Sequence, residues 1–184
     1  MLDHADRKIL REAARQAIET GLEGREPETP ALHRYTGDLR EPRASFVTLE
    51  QSGRLRGCIG SLEARRPLVA DVMANAHAAA FRDPRFAPLC AGEFGEVGIS
   101  ISVLSLPERL AVDTEDDLLQ RLRPGVDGLI LELSGRRGTF LPSVWDQLPE
   151  PRAFVEQLKR KAGLPADFWS PALQIYRYTT DSFQ

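Results

Sequence analysis

The stretch from Val97 to Leu104 constrains the fold more than any other part of this sequence, because apolar and small residues alternate along most of it. Successive side chains of a β-strand point to opposite faces of a sheet, so this alternation predicts a strand with one face in the core. The apolar positions are Val97, Ile99, Ile101 and Val103. The fold is therefore expected to contain a sheet that is covered on one side.

Further strands, mostly arranged as hairpins, are predicted on both sides of this stretch. Segments rich in β-branched and aromatic residues are separated by short turns at residues 51–53 and 135–137, which is typical of antiparallel hairpins. The predicted strands are 45–49 with 55–62, 127–134 with 138–141, and 173–179. Antiparallel pairing is therefore expected to dominate.

Helices are predicted where apolar residues recur at helical spacing and glycine or proline ends the pattern. The predicted helices are 3–19, 67–81, a short helix that follows the acidic run 113–117, and 151–162. Helices and strands are interspersed without a regular βαβ rhythm. The predicted fold class is therefore α+β, with a mainly antiparallel sheet and packed helices.

Residues 23–42 are predicted to form a long, solvated connection, because Gly24, Pro27 and Pro30 interrupt any helical pattern. Domains seldom contain so long a stretch without regular structure unless it covers another element or serves a function. The sequence leaves the role of this segment open.

Composition places the chain among globular proteins and disfavours several classes of function. The 184 residues are 42% hydrophobic and 28% charged, which is enough apolar content to bury a core. The formal net charge of −3 disfavours a nucleic-acid partner, because it gives no global attraction to phosphate. The first twenty residues contain no apolar run of the kind that a signal peptide or membrane span requires, so we expect a cytoplasmic location without membrane association.

Cysteine and histidine usage gives little support for a metal centre. The two cysteines, Cys58 and Cys90, lack CxxC spacing, and the three histidines are scattered along the chain. Two free thiols and no metal site are therefore expected. The common nucleotide-binding motifs are absent from the sequence, which leaves the use of any cofactor open.

The segment Leu55–Gly60, with the sequence LRGCIG, is the strongest candidate for chemistry. On a regular strand Arg56 and Cys58 share one face, while Leu55 and Ile59 share the other and are expected to pack in the core. A cationic neighbour stabilises the thiolate, which is the nucleophilic form of cysteine. The pattern therefore suggests Cys58 as a nucleophile that is alkylated faster than Cys90.

The glycines of the same segment allow two interpretations. Gly57 and Gly60 would let a ligand approach the backbone closely, which supports a binding site. Alternatively, the glycines mark a β-bulge and Cys58 is a small buried apolar residue.

Asp83 and Arg85 flank Pro84 in a DPRF corner that ends the predicted helix 67–81. They can present opposite charges to a ligand, or they can fasten the helix end to a neighbouring loop. The helix leaves the second strand of the first hairpin and must pack back on its sheet, so we expect the corner to approach Leu55–Gly60. The predicted ligand-binding residues are Arg56, Gly57, Gly60, Asp83 and Arg85.

Five short sequence motifs together resemble those of a known family. They are LRGCIG at 55–60, NAHAAAFRDPRF at 75–86, ISVLSLPE at 101–108, GTFLPSVW at 138–145 and KAGL at 161–164. In this order they resemble the AMMECR domain family, the protein A component of the AmmeMemoRadiSam system. The matches extend from about Phe46 to the C-terminus.

The resemblance implies a two-part fold, in which a larger domain and a small lobe built from discontinuous segments enclose a cleft near Leu55–Gly60. The whole chain, 1–184, is then expected to form one AMMECR-like domain. The family motif covers Arg56, Gly57, Cys58, Gly60, Asp83, Pro84, Arg85, Phe86, Leu141, Pro142 and Lys161. It does not specify position 77, so a role for His77 as a general base has little support.

Two functions stay open at the level of sequence. One is a binding or accessory protein with a cleft, which works with a Memo-like protein and a radical SAM enzyme in a modification pathway, as the name of the system implies. The other is an enzyme with Cys58 as nucleophile, in which Arg56 and Arg85 hold a small anionic or carbonyl substrate and Asp83 orients them. The missing general base weakens the second.

Overall fold

The computed structural model of the protein describes residues 2–184. Its helices are α1 (His4–Leu22), α2 (Leu68–Phe81), α3 (Ala91–Phe94), α4 (Glu115–Arg121) and α5 (Pro151–Lys161). Its strands are β1 (Ser45–Gln51), β2 (Arg54–Gly60), β3 (Val97–Leu104), β4 (Glu108–Arg109), β5 (Gly128–Leu133), β6 (Arg136–Phe140), β7 (Gln174–Tyr178) and β8 (Thr180–Phe183). The predicted α+β class with antiparallel strands is confirmed.

The chain divides into two units, each with its own apolar core. The first unit contains residues up to Leu104 together with Asp181–Gln184, and the second contains Ser105–Thr180. The sheet of the first unit has the order β2-β1-β3-β8, and that of the second has the order β4-β7-β5-β6. Strand β2 therefore lies at an edge of its sheet.

The core of the first unit lies between the sheet and helices α1 and α2. Helix α1 begins after Asp3, whose carboxylate accepts a hydrogen bond from the N–H of Asp6 at 2.8 Å. Leu10 and Ile18 of its apolar stripe are fully buried. In β3 the predicted alternation holds, since Ile101 and Val103 lie in the core. The strand and both helices agree with the sequence-based predictions.

The first hairpin contains a bulge that reverses one prediction. Its turn is Ser52–Gly53, and both residues have positive φ, as a tight hairpin turn requires. Leu49 pairs with Gly57 and Glu50 pairs with Leu55, so Arg56 is an extra residue in β2. The bulge breaks strict alternation, and Leu55 is 44% exposed. The prediction that Leu55 packs in the core is therefore wrong, whereas Ile59 does pack against the core.

The segment 23–42 contains short local structure rather than none. Two 3-10 turns, Leu32–Arg34 and Gly37–Leu39, lie within it. Leu39 is buried, and Leu32 and Tyr35 pack against the core of the first unit. The segment therefore covers part of this core.

The second unit is built around an aromatic core. The indole of Trp145 stacks on Phe154, with ring centroids 3.9 Å apart and planes at 5°. Its N–H donates to the carbonyl of Asp127 at 2.7 Å, so the buried polar group is satisfied. The predicted hairpin is present, but its turn is Ser134–Gly135 and both arginines, Arg136 and Arg137, belong to β6.

Within residues 2–184, no helix combines the length and the apolar character that crossing a membrane requires.

Candidate functional site

The DPRF corner contacts the backbone of edge strand β2 at Cys58. One carboxylate oxygen of Asp83 accepts a hydrogen bond from the N–H of Cys58 at 2.8 Å, and Nη2 of Arg85 donates to the carbonyl of Cys58 at 3.1 Å. An edge strand leaves alternate backbone groups without a strand partner. The two side chains supply that partner, so the corner approaches LRGCIG as the sequence analysis expected.

Asp83 and Arg85 also bind each other through several hydrogen bonds. Asp83 is only 4% exposed, and it accepts from Nε of Arg85 at 2.9 Å, from Nη2 at 2.7 Å and from the backbone N–H of Arg85 at 3.1 Å. The Arg85 side chain is 53% exposed. Hydrogen bonds from the Arg85 guanidinium, followed by those from the two backbone N–H groups, hold the pKa of Asp83 well below its usual range. Asp83 therefore stays ionised at any physiological pH.

Helix α2 is pressed against β2 and so brings the corner to this edge. A Cβ at Gly57 would lie 2.2 Å from the carbonyl oxygen of Ala79, so a side chain there would require α2 to move. The helix ends at Phe81, and the N–H of Leu89 returns to the carbonyl of Ala80 at 2.8 Å. Pro84 disfavours helical geometry at the residue before it. The chain must therefore turn beside β2.

Arg56 binds a carboxylate on α3 rather than facing Cys58. Its Nε and Nη2 donate to the two oxygens of Glu93 at 2.9 and 3.0 Å. Glu93 also accepts from the N–H of Cys90 at 3.0 Å. These bonds, with the one from Arg56 first, lower the pKa of Glu93 to about 2. The charge of Arg56 is thus neutralised next to the other cysteine.

The two arginines flank the same aromatic ring. The guanidinium carbon of Arg56 lies 6.0 Å from the centroid of Phe86, and that of Arg85 lies 5.5 Å from it. Both distances are within reach of a cation–π interaction. Nη1 of Arg56 is buried without a hydrogen-bond partner within residues 2–184. Phe86 therefore links the two Arg–carboxylate pairs into one cluster.

The thiol of Cys58 lies on the sheet face opposite α2. The hydroxyl of Thr48 donates to Sγ of Cys58 at 3.3 Å, and the residue is partly buried. Thr48 pairs with Cys58 on one side and with Ser100 on the other. A thiol and two hydroxyl-bearing side chains thus form a row across three strands. Ser102 and Ser182, whose hydroxyls are 2.9 Å apart, continue the polar face.

Other parts of the protein pack directly against both glycines of the predicted site. Gly57 contacts α2, and a Cβ at Gly60 would lie 2.3 Å from the ring of Phe46. Both glycines thus allow close internal packing, and the space beside them is already filled.

His77 lies in the core, away from the site. It is buried, its ring centroid is 5.0 Å from that of Phe81, and a Cβ at Gly21 would meet both rings. Burial is the main cause that lowers its pKa. In residues 2–184 the structure shows no hydrogen bond between a histidine and Cys58, and no group of three or more His, Cys, Asp or Glu side chains that could hold a metal.

A buried polar network that sequence reasoning missed holds the start of β1. Asp71 of α2 accepts hydrogen bonds from the N–H and the hydroxyl of Ser45 at 3.0 and 2.7 Å, and from the amide of Asn75 at 2.9 Å. Arg66 donates to the other oxygen of Asp71 at 2.8 Å. Asp71 and Asn75 are one helical turn apart and could have been noticed as polar residues on an otherwise apolar helix. The network fixes α2 on the hairpin that carries Cys58.

Comparison with known proteins agrees with this fold and identifies the family. The sequence model of the AMMECR1 family matches residues 11–183. A protein of Methanothermobacter thermautotrophicus is 38% identical over 192 aligned positions, which cover 99% of this chain and 95% of the relative. Protein MJ0810 of Methanocaldococcus jannaschii is 34% identical and covers 93% of this chain and 86% of its own length.

A solved structure shows the same architecture. The crystal structure of the uncharacterised protein PH0010 from Pyrococcus horikoshii matches with a TM-score of 0.81 and 33% identity, over 94% of this chain and 88% of the other. The fold is therefore that of an α+β protein with the architecture of PH0010. This chain belongs to the AMMECR1 family.

Proposed function

We propose that this chain is a non-catalytic binding protein whose ligand or protein partner contacts β2 at Cys58 and the DPRF corner. The observation that supports this proposal is the pairing of the charges around Cys58. Arg85 is bound to Asp83 and Arg56 is bound to Glu93, so neither arginine has the uncompensated charge that an anionic substrate site uses. The surface is polar but close to neutral.

The same contacts disfavour the alternative, an enzyme with Cys58 as nucleophile. Nucleophilic catalysis normally uses a base within hydrogen-bond reach of the nucleophile. The thiol is bound by the hydroxyl of Thr48, which is not a base at neutral pH. Asp83 is the nearest ionised carboxylate in the hydrogen-bond network of Cys58, and its lowered pKa makes it a poor proton acceptor.

The exposed parts of the cluster suit a macromolecular partner. Arginine and aromatic side chains contribute much of the energy at protein interfaces, and the half-exposed Arg85 lies against the ring of Phe86. Thr48 and Ser100 add hydrogen-bonding groups beside the thiol. Following the family resemblance, we propose a Memo-like protein and a radical SAM enzyme of the cytoplasm as partners in a modification pathway. The cleft that the resemblance implies near Leu55–Gly60 is part of this proposal, and a small anion held by Arg85 is the alternative ligand.

Arg85→Ala tests the proposed contact, and Arg123→Ala is its matched control. Arg123 is also 53% exposed and bound to a buried aspartate, Asp127, but it lies in the second unit. Binding of each variant to a purified Memo-like protein and to a radical SAM enzyme from the same organism is measured by biolayer interferometry. We expect Arg85→Ala to weaken binding about tenfold or more and Arg123→Ala to leave it unchanged. Equal effects of the two changes would contradict the proposal.

Alkylation rates separate the binding protein from the enzyme. Cys90 is exposed and Cys58 is partly buried, so a non-catalytic protein should be alkylated faster at Cys90. The nucleophile hypothesis expects the reverse order. Iodoacetamide rates for Cys58→Ser and Cys90→Ser, each with one remaining thiol, are compared near pH 7. Faster reaction at Cys58 would support the enzyme, and a metabolite-binding screen of wild type against Cys58→Ala would then identify its substrate.

A further inference from the structure

A cavity of about 450 Å³ lies in the first unit, away from Cys58 and the DPRF corner. Helix α1 forms one wall with Gln16 and Thr20, and Met73 of α2 contributes to the lining. The rest of the lining comes from residues between Arg25 and Tyr35. The long segment 23–42, whose role the sequence leaves open, therefore encloses a space as well as covering the core.

The wall formed by this segment is fixed before any ligand arrives. Leu32 and Tyr35 are three residues apart at a 3-10 turn, where such residues lie on the same side, and both pack against the core. Pro27 and Pro30 also line the cavity and restrict the backbone of the same segment. A preformed wall lowers the entropy that is lost on binding.

Two arginines line the cavity, Arg25 and Arg34, and within residues 2–184 only Arg25 has an ion-pair partner. The guanidinium of Arg34 makes no hydrogen bond or ion pair in the part of the chain that the structure describes, and the residue is exposed where it lines the cavity. Arg25 also lines the cavity, and its partner Glu23 is an exposed near neighbour. Exposed pairs of this kind are weak, so Arg25 can contribute to binding an anion. Glu28 is the one carboxylate in the lining described here.

We propose that this cavity binds a small organic carboxylate, with its charge at Arg34 and its apolar body against Tyr35 and Met73. The guanidinium fork of an unpaired arginine fits a carboxylate in a bidentate manner. Tyr35 and Met73 are partly buried and provide apolar surface on the same lining. The site is separate from the cluster at Cys58 and does not depend on the proposed function.

Benzoate is a suitable probe, because it combines one carboxylate with an apolar ring, and benzamide is its uncharged counterpart. Binding of both to the full chain is measured by isothermal titration calorimetry at millimolar concentrations. We expect benzoate to bind and benzamide to bind more weakly. Arg34→Gln should weaken benzoate binding about tenfold or more, since it removes a charge-assisted hydrogen bond.

Three further variants make the test specific. Arg40→Gln removes an equal charge from an exposed residue of the same segment that does not line the cavity, and should change affinity less than about twofold. Glu28→Gln should strengthen benzoate binding by about twofold, because it removes a repulsive charge. Gln16→Trp should abolish binding by filling the cavity from an exposed position on α1. Thermal melts establish that each variant is folded.

The proposal is overturned if benzoate does not bind the wild-type chain at millimolar concentrations. It is equally overturned if Arg34→Gln and Arg40→Gln weaken binding to the same extent, because net charge would then explain the effect. Benzamide binding as tight as benzoate would exclude a site for a carboxylate.

Discussion

Each unit of this protein contains a strand glycine that allows close contact with a helix, and the contact is closer in the first unit. In each unit a strand glycine lies directly under the chain at or near the end of a helix. A Cβ at Gly57 would lie 2.2 Å from the carbonyl oxygen of Ala79, whereas a Cβ at Gly138 would lie 2.8 Å from Cβ of Ala162. A backbone carbonyl in the middle of the contact cannot rotate away. Helix α2 therefore approaches its strand more closely at Gly57 than the end of α5 approaches β6 at Gly138.

Both units also bury an aspartate that binds a half-exposed arginine and a backbone N–H. Asp127 accepts from the guanidinium of Arg123 at 2.6 Å and from its backbone N–H at 2.9 Å, so its hydrogen bonds close a local turn, and an ion pair at 4.0 Å links it to the side chain of Arg177. Asp83 binds Arg85 and, in addition, the backbone of Cys58, which is 25 residues away in sequence. The aspartate of the first unit thus joins distant segments.

In the first unit the glycine contact with the helix and the aspartate contact with the strand fall on adjacent residues, Gly57 and Cys58. In the second unit they are apart, since Asp127 precedes β5 and Gly138 lies on β6. The edge of β2 is thus held by a helix at Gly57 and by the corner at Cys58. A rigid, preorganised surface loses little entropy when it binds a partner.

The largest effect is expected from an alanine at Gly57. Gly57→Ala should lower the free energy of unfolding by about 3 kcal/mol, because α2 must move to accommodate the methyl group. Gly138→Ala should cost about 1 to 2 kcal/mol, since the nearest atom of Ala162 is 2.8 Å from the added Cβ and the overlap is smaller. Gly98→Ala, with no atom nearer than 3.8 Å, is the control and should stay within about 0.5 kcal/mol of wild type. Urea denaturation measures all three, and equal costs at Gly57 and Gly138 would break the comparison.

Replacing either buried aspartate should lower stability by a similar amount, but the affected amides should lie at different distances along the chain. Asp83→Asn and Asp127→Asn should each lower the free energy of unfolding by about 2 kcal/mol, because a charged hydrogen-bond acceptor is lost. Hydrogen exchange should then become faster at the distant amide of Cys58 for Asp83→Asn, whereas for Asp127→Asn it should become faster at the neighbouring amide of Arg123. Protection of Cys58 that is unchanged in Asp83→Asn would show that the corner does not hold the strand edge.

Lowering the pH should reduce the contribution of Asp83 to the stability of the folded protein. Its pKa is lowered in the folded state from an ordinary value of 3.8, so its stabilising effect is present above that value and is lost as the pH falls. The difference in stability between wild type and Asp83→Asn should therefore be largest near neutral pH and shrink below about pH 5. Denaturation at several pH values tests this, and a constant difference down to pH 2 would contradict it.

The smallest difference in stability loss is expected between substitutions of two threonines, each of which makes a hydrogen bond within its own unit. Thr139 donates to the carbonyl of Leu129 at 2.8 Å, whereas Thr48 donates to the thiol of Cys58, a weak acceptor. Thr139→Val should cost about 1 kcal/mol and Thr48→Val about 0.5 kcal/mol. Thermal melts can resolve the order, and a larger cost at Thr48 would mean that the thiol contact is stronger than its chemistry suggests.

Much of the fold could be predicted because its signals are local. The alternation of β3, the apolar stripe of α1 and the turn at Ser52–Gly53 each depend on residues close in sequence. Helix α3 and strands β4 and β8 were not predicted, since they are short and lack periodicity. The bulge at Arg56 also escaped prediction, because a strand read from its sequence is assumed to alternate regularly.

The candidate site divides in the same way. The sequence by itself determined the family and the α+β class, it singled out LRGCIG and DPRF as the candidate site, and it placed the corner near the strand. Only the tertiary structure decided that Arg56 binds Glu93, that Arg85 and Asp83 hold the backbone of Cys58, and that Thr48 faces the thiol. The reason is physical: periodicity and turns follow from neighbouring residues, whereas the partner of a charge follows from which distant segments pack together.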